Sequence, residues 1–179
     1  MTLTLAQLDT MPDAESAFTL AACCGSSTWV AAMVARRPFG SRETLLAVAE
    51  EVGLALQPSD WLDAFAHHPR IGERQPASLV SATAANWSQG EQSASSMSSE
   101  DARAALREAN AEYEQRFGFI FIICANGRSA NEILAALRDR LTNEPDAEMF
   151  IAAREQRQIT RQRLEKLIPA ARLSRGAGS

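Results

Sequence analysis

Histidine is nearly absent from this chain. Its 179 residues hold two, His67 and His68, side by side, so any imidazole acid–base chemistry must happen at that one place. Cysteine is scarce too. Cys23, Cys24 and Cys124 form an odd set with an adjacent pair, which is no disulfide framework, and no C-x-x-C or H-x-x-x-H spacing offers a zinc site. This predicts a reducing cytoplasm and no metal. Apolar stretches are broken by Arg, Glu or Gly well short of the ~20 residues that a bilayer needs, so no membrane span is expected. Met1 to Asp13 lacks a positively charged start, and no secretory signal is expected. Positive charge is not in excess either: 18 Lys and Arg stand against 22 Asp and Glu, a net charge of −4. That composition disfavours nucleic acid as a partner. G-x-G-x-x-G, Walker A, G-x-S-x-G and H-E-x-x-H are all missing, which removes support for the nucleotide-dependent and hydrolase templates.

What is present is an ordinary globular composition, 46% hydrophobic and 22% charged, long enough for one domain with its own core. Most of it reads as helix. Asp13 can cap a segment to about Cys23. Ser26 or Ser27 can cap the next, Thr28 to Arg37, which Pro38 stops. Ser41 opens a third that ends at Gly53, a suitable residue just past a helix end. Pro58, Ser59 and Asp60 start a fourth, ending at His67, because Pro69 pushes His68 out of helical geometry. Ser98 and Ser99 precede a long polar helix to about Phe117. Ser129 starts another with Ile133, Leu134, Leu137 and Leu141 on one face. The last runs from about Pro145 to Ile168. Residues 69–87 read as a long surface loop, of the kind often functional. The run Phe117 to Ile123 is aromatic and β-branched but has no partner strand, so it reads as an extended, buried connector. The expectation is an all-α single-domain bundle of about seven to nine helices over residues 1–172, with that connector near 118–124 and a flexible tail at 173–179.

Three places invite a chemical reading. Arg163 falls on the apolar stripe of the last helix, four residues from both Ile159 and Leu167. An arginine there either snorkels to the edge of the stripe, pairs with an internal carboxylate, or binds an anionic ligand. His68, held extended before Pro69 at the mouth of the long loop, is either an acid–base group or a helix-terminal residue favoured by the macrodipole. Ser88-Gln89-Gly90-Glu91 matches the S-x-x-E capping box, and Glu91 and Gln92 could also face a ligand from that first turn. Cys23 and Cys24 read as core, and Cys124 has no neighbouring histidine in sequence to activate it.

Taken in order, these pieces resemble the OHCU decarboxylases of uric acid breakdown, where OHCU is 2-oxo-4-hydroxy-4-carboxy-5-ureidoimidazoline. The stretches that carry the resemblance are Phe18 to Gly25, Trp29 to Phe39 ending A-R-R-P-F, and Phe65 to Gly72 with H-P-R-I-G. They continue with S-x-x-E-Q at Ser88 to Gln92, N-x-x-Y-x-x-x-F-G-F-x-F-I at Asn110 to Ile122, Ile133 to Asn143, and I-x-x-x-R-L-x-x-L at Ile159 to Leu167. The resemblance implies an all-helical fold, commonly a homodimer, and decarboxylation of OHCU to S-allantoin and CO2 without a cofactor. It places the catalytic set on His68, Glu91 and Arg163. Ser88 and Gln92 match polar ligand contacts, and Pro69 with Phe119, Ile120, Phe121 and Ile122 matches the pocket wall. The stretch Cys23 to Ser26 departs from the family's bulkier segment and bears on local packing. No fused transthyretin-like hydrolase domain is expected, nor a peroxisomal address at Ala177-Gly178-Ser179.

Two other classes compete with this reading. A non-catalytic helical binding module would tolerate loss of His68. An enzyme hydrolysing 5-hydroxyisourate would need a β-rich, transthyretin-like fold, which the helical pattern contradicts.

Overall fold

A computed structural model describes residues 2–71 and 100–170, the side chains of 100–103 excepted. The expected loop over 69–87 lies mostly outside this range, as does the tail at 173–179. Eight helices and no strand occur among the described residues: α1 Leu5–Thr10, α2 Asp13–Ala21, α3 Ser27–Ala35, α4 Arg42–Ala55, α5 Pro58–Ala66, α6 Glu100–Phe117, α7 Ala130–Arg140 and α8 Pro145–Leu167. The all-α expectation holds, and a transthyretin-like architecture is excluded. No helix among the described residues is long and apolar enough to cross a membrane.

Local chemistry sets most of the boundaries. Ser26, Ser41 and Ser129 each accept a backbone N–H of the first turn they precede, satisfying donors that have no partner inside the helix. Pro58 and Pro145 occupy first-turn positions, where a missing N–H costs nothing. Two expectations need correction. Asp13 lies within the first turn of α2, and Pro12 takes the cap position. Gly53 does not end α4, which runs on to Ala55. Its hydrogen is needed elsewhere: a Cβ there would meet the Arg157 side chain of α8 at 3.0 Å. Helix α1 was not foreseen, although its capping box is written in the sequence. Gln7 N–H donates to Thr4 Oγ1 at 3.2 Å, and Thr4 N–H donates back to Gln7 Oε1 at 2.8 Å.

The helices form two hydrophobic groups. Buried residues of α1 to α5 and α8 make the larger, around Leu20, Trp29, Met33, Leu45, Trp61, Phe65 and Leu164. Leu106 and Tyr113 of α6 and Ile133 and Leu137 of α7 make the smaller. The connector runs between them. Gly118, at φ 77°, ends α6 and releases the chain into it. From there side chains alternate: Ile122 and Cys124 enter the large group, while Phe121, Ile123 and Ala125 enter the small one. This is the period of a strand. With both faces covered, the segment is apolar at nearly every position.

A buried extended segment with no strand beside it leaves its peptide groups to be satisfied by side chains. Cys124 N–H donates to the Glu155 carboxylate at 2.8 Å, and Arg140 Nη1 donates to the Ile122 carbonyl at 2.8 Å. Arg140 is held in turn by Glu148 through Nε at 2.8 Å and lies over the Phe121 ring at 4.5 Å. Glu148, fully buried, also accepts from the Tyr113 hydroxyl and, at 2.6 Å, from Asn143 Nδ2. Burial and the hydrogen bond to Glu148 push the Tyr113 phenol far above its ordinary range. Glu148→Gln keeps the shape but removes the charge that answers Arg140. It should destabilise the fold by about 3–5 kcal/mol, read as a lower urea midpoint at unchanged slope.

Candidate active site

The His67-His68 corner is built by the end of α5. The His68 N–H donates to the Phe65 carbonyl at 3.0 Å, closing the last turn, and Pro69 forbids another. The two imidazoles then part. His67 is exposed, and its Nδ1–H donates to the Asp63 carbonyl at 2.9 Å. Gly25 is what lets it lie there, since a Cβ at Gly25 would come within 2.6 Å of His67 Cβ. That close approach gives a packing reason for the small Cys23 to Ser26 stretch. His68 turns the other way, into a cleft lined also by Pro69, Ile71, Phe121, Ile122, Cys124 and Ile159.

The segment after His68 is fixed from α6. Asn110 Nδ2 donates to the Ile71 carbonyl at 3.0 Å. Arg70 forms a two-bond pair with Glu114, Nε to Oε1 at 2.5 Å and Nη2 to Oε2 at 2.9 Å. Asn110 and Tyr113 of the N-x-x-Y motif thus support the two walls of the cleft, one through Ile71 and the other through the Arg140–Glu148 network.

Arg163 is 4% exposed, so it does not snorkel to solvent. Its Nη1 donates to the Ala22 carbonyl at 3.4 Å, and its charge acts on both His68 and Cys24. Burial, and after it the Arg163 charge, push the His68 imidazole down to about 3, against a weaker opposing effect of the Gln156 side chain. The ring is therefore neutral at pH 7 in the free protein. Burial also pushes the Cys24 thiol up to about 11, despite hydrogen bonding and the Arg163 charge. It is a neutral core thiol and not a nucleophile.

Of the residues expected at the site, the structure brings His68, Pro69, Phe121 and Ile122 to one cleft, with Arg163 beside His68. Phe119 and Ile120 are not among its lining residues. Phe119 packs on the Phe65 ring at a centroid distance of 5.3 Å, behind the wall. Ser88, Glu91 and Gln92 lie outside the described residues. Sequence reasoning passed over Ile71, Ile123, Cys124, Ile159 and Gln162, which also line the cleft, and the buried Glu155, Gln156 and Thr160 of α8. The signal for the last three was available. Stepping back from Arg163 by three and four residues along the same stripe reaches each of them.

Comparison with known proteins adds a direct likeness. A family model described as OHCU decarboxylase matches residues 9–165. The uric acid degradation bifunctional protein TTL of Arabidopsis thaliana is 41% identical over 146 residues, which cover 81% of this chain and 45% of that protein. This chain therefore spans less than half the length of that relative. The 2-oxo-4-hydroxy-4-carboxy-5-ureidoimidazoline decarboxylase of Amia calva is 34% identical over 140 residues, covering 77% of this chain and 78% of that one. Among solved structures, an OHCU decarboxylase crystallised in the presence of (S)-allantoin superposes with a TM-score of 0.73 at 36% identity, covering 84% of this chain and 96% of the other.

Proposed function

Because the chain belongs to the OHCU decarboxylase family, we propose that it converts OHCU to S-allantoin and CO2, the last step from urate to allantoin, through the residues gathered at the His68 cleft. The observation that carries the reading is the pairing of the neutral His68 imidazole with a buried Arg163 at the cleft that His68 lines, within a sequence match to the family over residues 9–165.

The chemistry suits such a site. Breaking the bond to the carboxylate leaves an electron pair on a ring carbon conjugated to the substrate's own imine and carbonyl groups. The substrate is its own electron sink. CO2 departs, one proton is taken up, and the hydroxyl on the reacting carbon becomes the carbonyl of allantoin. The protein has to position the ring, stabilise developing negative charge and direct a proton to one face. Arg163 anchors the anionic substrate with a planar fork of donors. His68, neutral in the free protein, takes the hydroxyl proton as general base. Glu91 and Gln92 hold ring N–H and carbonyl groups with Ser88 in support, and Pro69 with Phe121 and Ile122 forms the apolar wall.

The direct test generates OHCU in place from urate with urate oxidase and hydroxyisourate hydrolase, then adds this protein. Faster loss of OHCU absorbance with optically active S-allantoin as product supports the reading, and an unchanged decay with racemic product overturns it. Since the electron sink lies in the substrate, activity should survive exhaustive chelation and gel filtration. A loss restored by a divalent metal would refute the cofactor-free route. The family likeness also supports a homodimer, and the three cysteines with no disulfide pattern support a reducing cytoplasm. Light scattering should then give about twice the 19.4 kDa chain mass, and a fully active monomer would remove that part of the proposal.

A further inference from the structure

Gln156 is completely shielded from solvent near the middle of α8. It lies one turn before Thr160 and two turns before Arg163, on the same face. It is not among the lining residues of the cleft; it sits beside the His68 imidazole. Its Nε2 donates to the Thr160 hydroxyl at 3.3 Å, which orients the carboxamide. Its Oε1 is buried and has no hydrogen-bond partner among the described residues. A buried carbonyl oxygen without a donor is unfavourable, and an apolar side chain of similar length would avoid the cost. The neighbouring imidazole carries one N–H in either neutral tautomer.

We propose that Gln156 is a positioning residue: its Oε1 accepts the N–H of His68, fixing one tautomer and turning the unprotonated ring nitrogen toward the cleft. The hydrogen bond made by one ring nitrogen decides which state the other presents. The charged or titratable groups that act on His68 are Arg163 from α8 and the adjacent His67, and both oppose its protonation. A neutral ring is thus the state to be oriented. What the free nitrogen then does rests on the decarboxylase reading; the tautomer assignment does not.

The chain's two histidines make the test clean. Protein labelled with 15N-histidine is compared in long-range proton–nitrogen spectra at pH 7, with His67→Asn assigning the two rings. The parent protein should show a single neutral tautomer for His68. Gln156→Met should fold with an unchanged or higher urea midpoint, while its His68 nitrogen shifts move toward a mixture of tautomers. Its kcat should fall about tenfold with KM nearly constant. Gln156→Glu restores an acceptor, so it should keep the single tautomer and raise the His68 titration by about one pH unit or more. A single tautomer retained in Gln156→Met, or a His68 titration unmoved in Gln156→Glu, overturns the proposal. Expected spectra from a protein inactive on OHCU would overturn the reaction and leave the positioning role standing.

Discussion

Replacing His68 by asparagine should lower kcat by about 10²-fold or more, the usual scale for a positioned acid–base group, while His67→Asn should change it far less. Asparagine keeps much of the size and some of the hydrogen bonding but cannot take up a proton. The two histidines differ in what surrounds them. His68 lines the cleft beside Arg163; His67 is exposed and spends its Nδ1–H on the Asp63 carbonyl. Exchanged behaviour of the two variants would reverse this assignment. The same substitution has a signature in stability. The His68 imidazole is pushed down to about 3 in the folded protein, from 6.5. Below pH 6.5 the unfolded chain therefore binds a proton that the folded chain refuses. This contribution to stability is present in full above pH 6.5 and is lost as the pH falls toward 3. His68→Asn should make the fall of the urea midpoint between pH 6.5 and 4 shallower; an unchanged slope would mean that the ring is not held neutral.

Arg163→Lys should lower kcat/KM by about 10²-fold and Arg163→Met by up to about 10³-fold, the range seen when one donor to developing negative charge is removed. Lysine keeps the charge but loses the planar fork. Because the Arg163 charge is one cause of the depressed His68 titration, the methionine variant should let that titration rise, whereas the lysine variant should hold it low. Stability separates a ligand anchor from a structural arginine. If Arg163 served chiefly as one half of a buried ion pair, methionine would strand the other half and destabilise the fold by roughly 3–5 kcal/mol. An anchor loses activity with much less change in the urea midpoint. A large stability loss with near-normal specific activity in the folded fraction would sink the anchor role.

How far the site could be read in advance differs from residue to residue. Arg163 stood out because a charged residue on an apolar stripe is anomalous within one helix, and the anomaly needs nothing but the 3.6-residue period. The His68 corner was equally legible, since a histidine before proline at the end of an apolar helix is a purely local pattern. Gln156, Glu155 and Glu148 lie on the same stripe and passed unnoticed, because no local rule says which buried polar group has a partner. Glu155 accepts a backbone N–H 31 positions away, and one of the partners of Glu148 is a tyrosine 35 positions away. Gly53 misled for a related reason. Near a helix end it reads as a stop signal, but the side chain that claims its missing Cβ, Arg157, comes from α8.

The amino-acid sequence by itself determined the helices, most of their caps, the inward face of α8 and the one corner where imidazole chemistry can occur. Each depends on neighbours within about four residues, the range over which backbone hydrogen bonds and helix periodicity act. The connector shows the limit of that range. Its apolar, β-branched composition announced an extended chain. Only the tertiary structure decided that alternate side chains would enter two different helical groups, and that Arg140 and Glu155 would bond its peptide groups in place of a second strand. The same packing brought His68, Gln156 and Arg163 together. Burial sets the energetic value of these polar groups, and burial is a property of elements that meet only when the chain has folded.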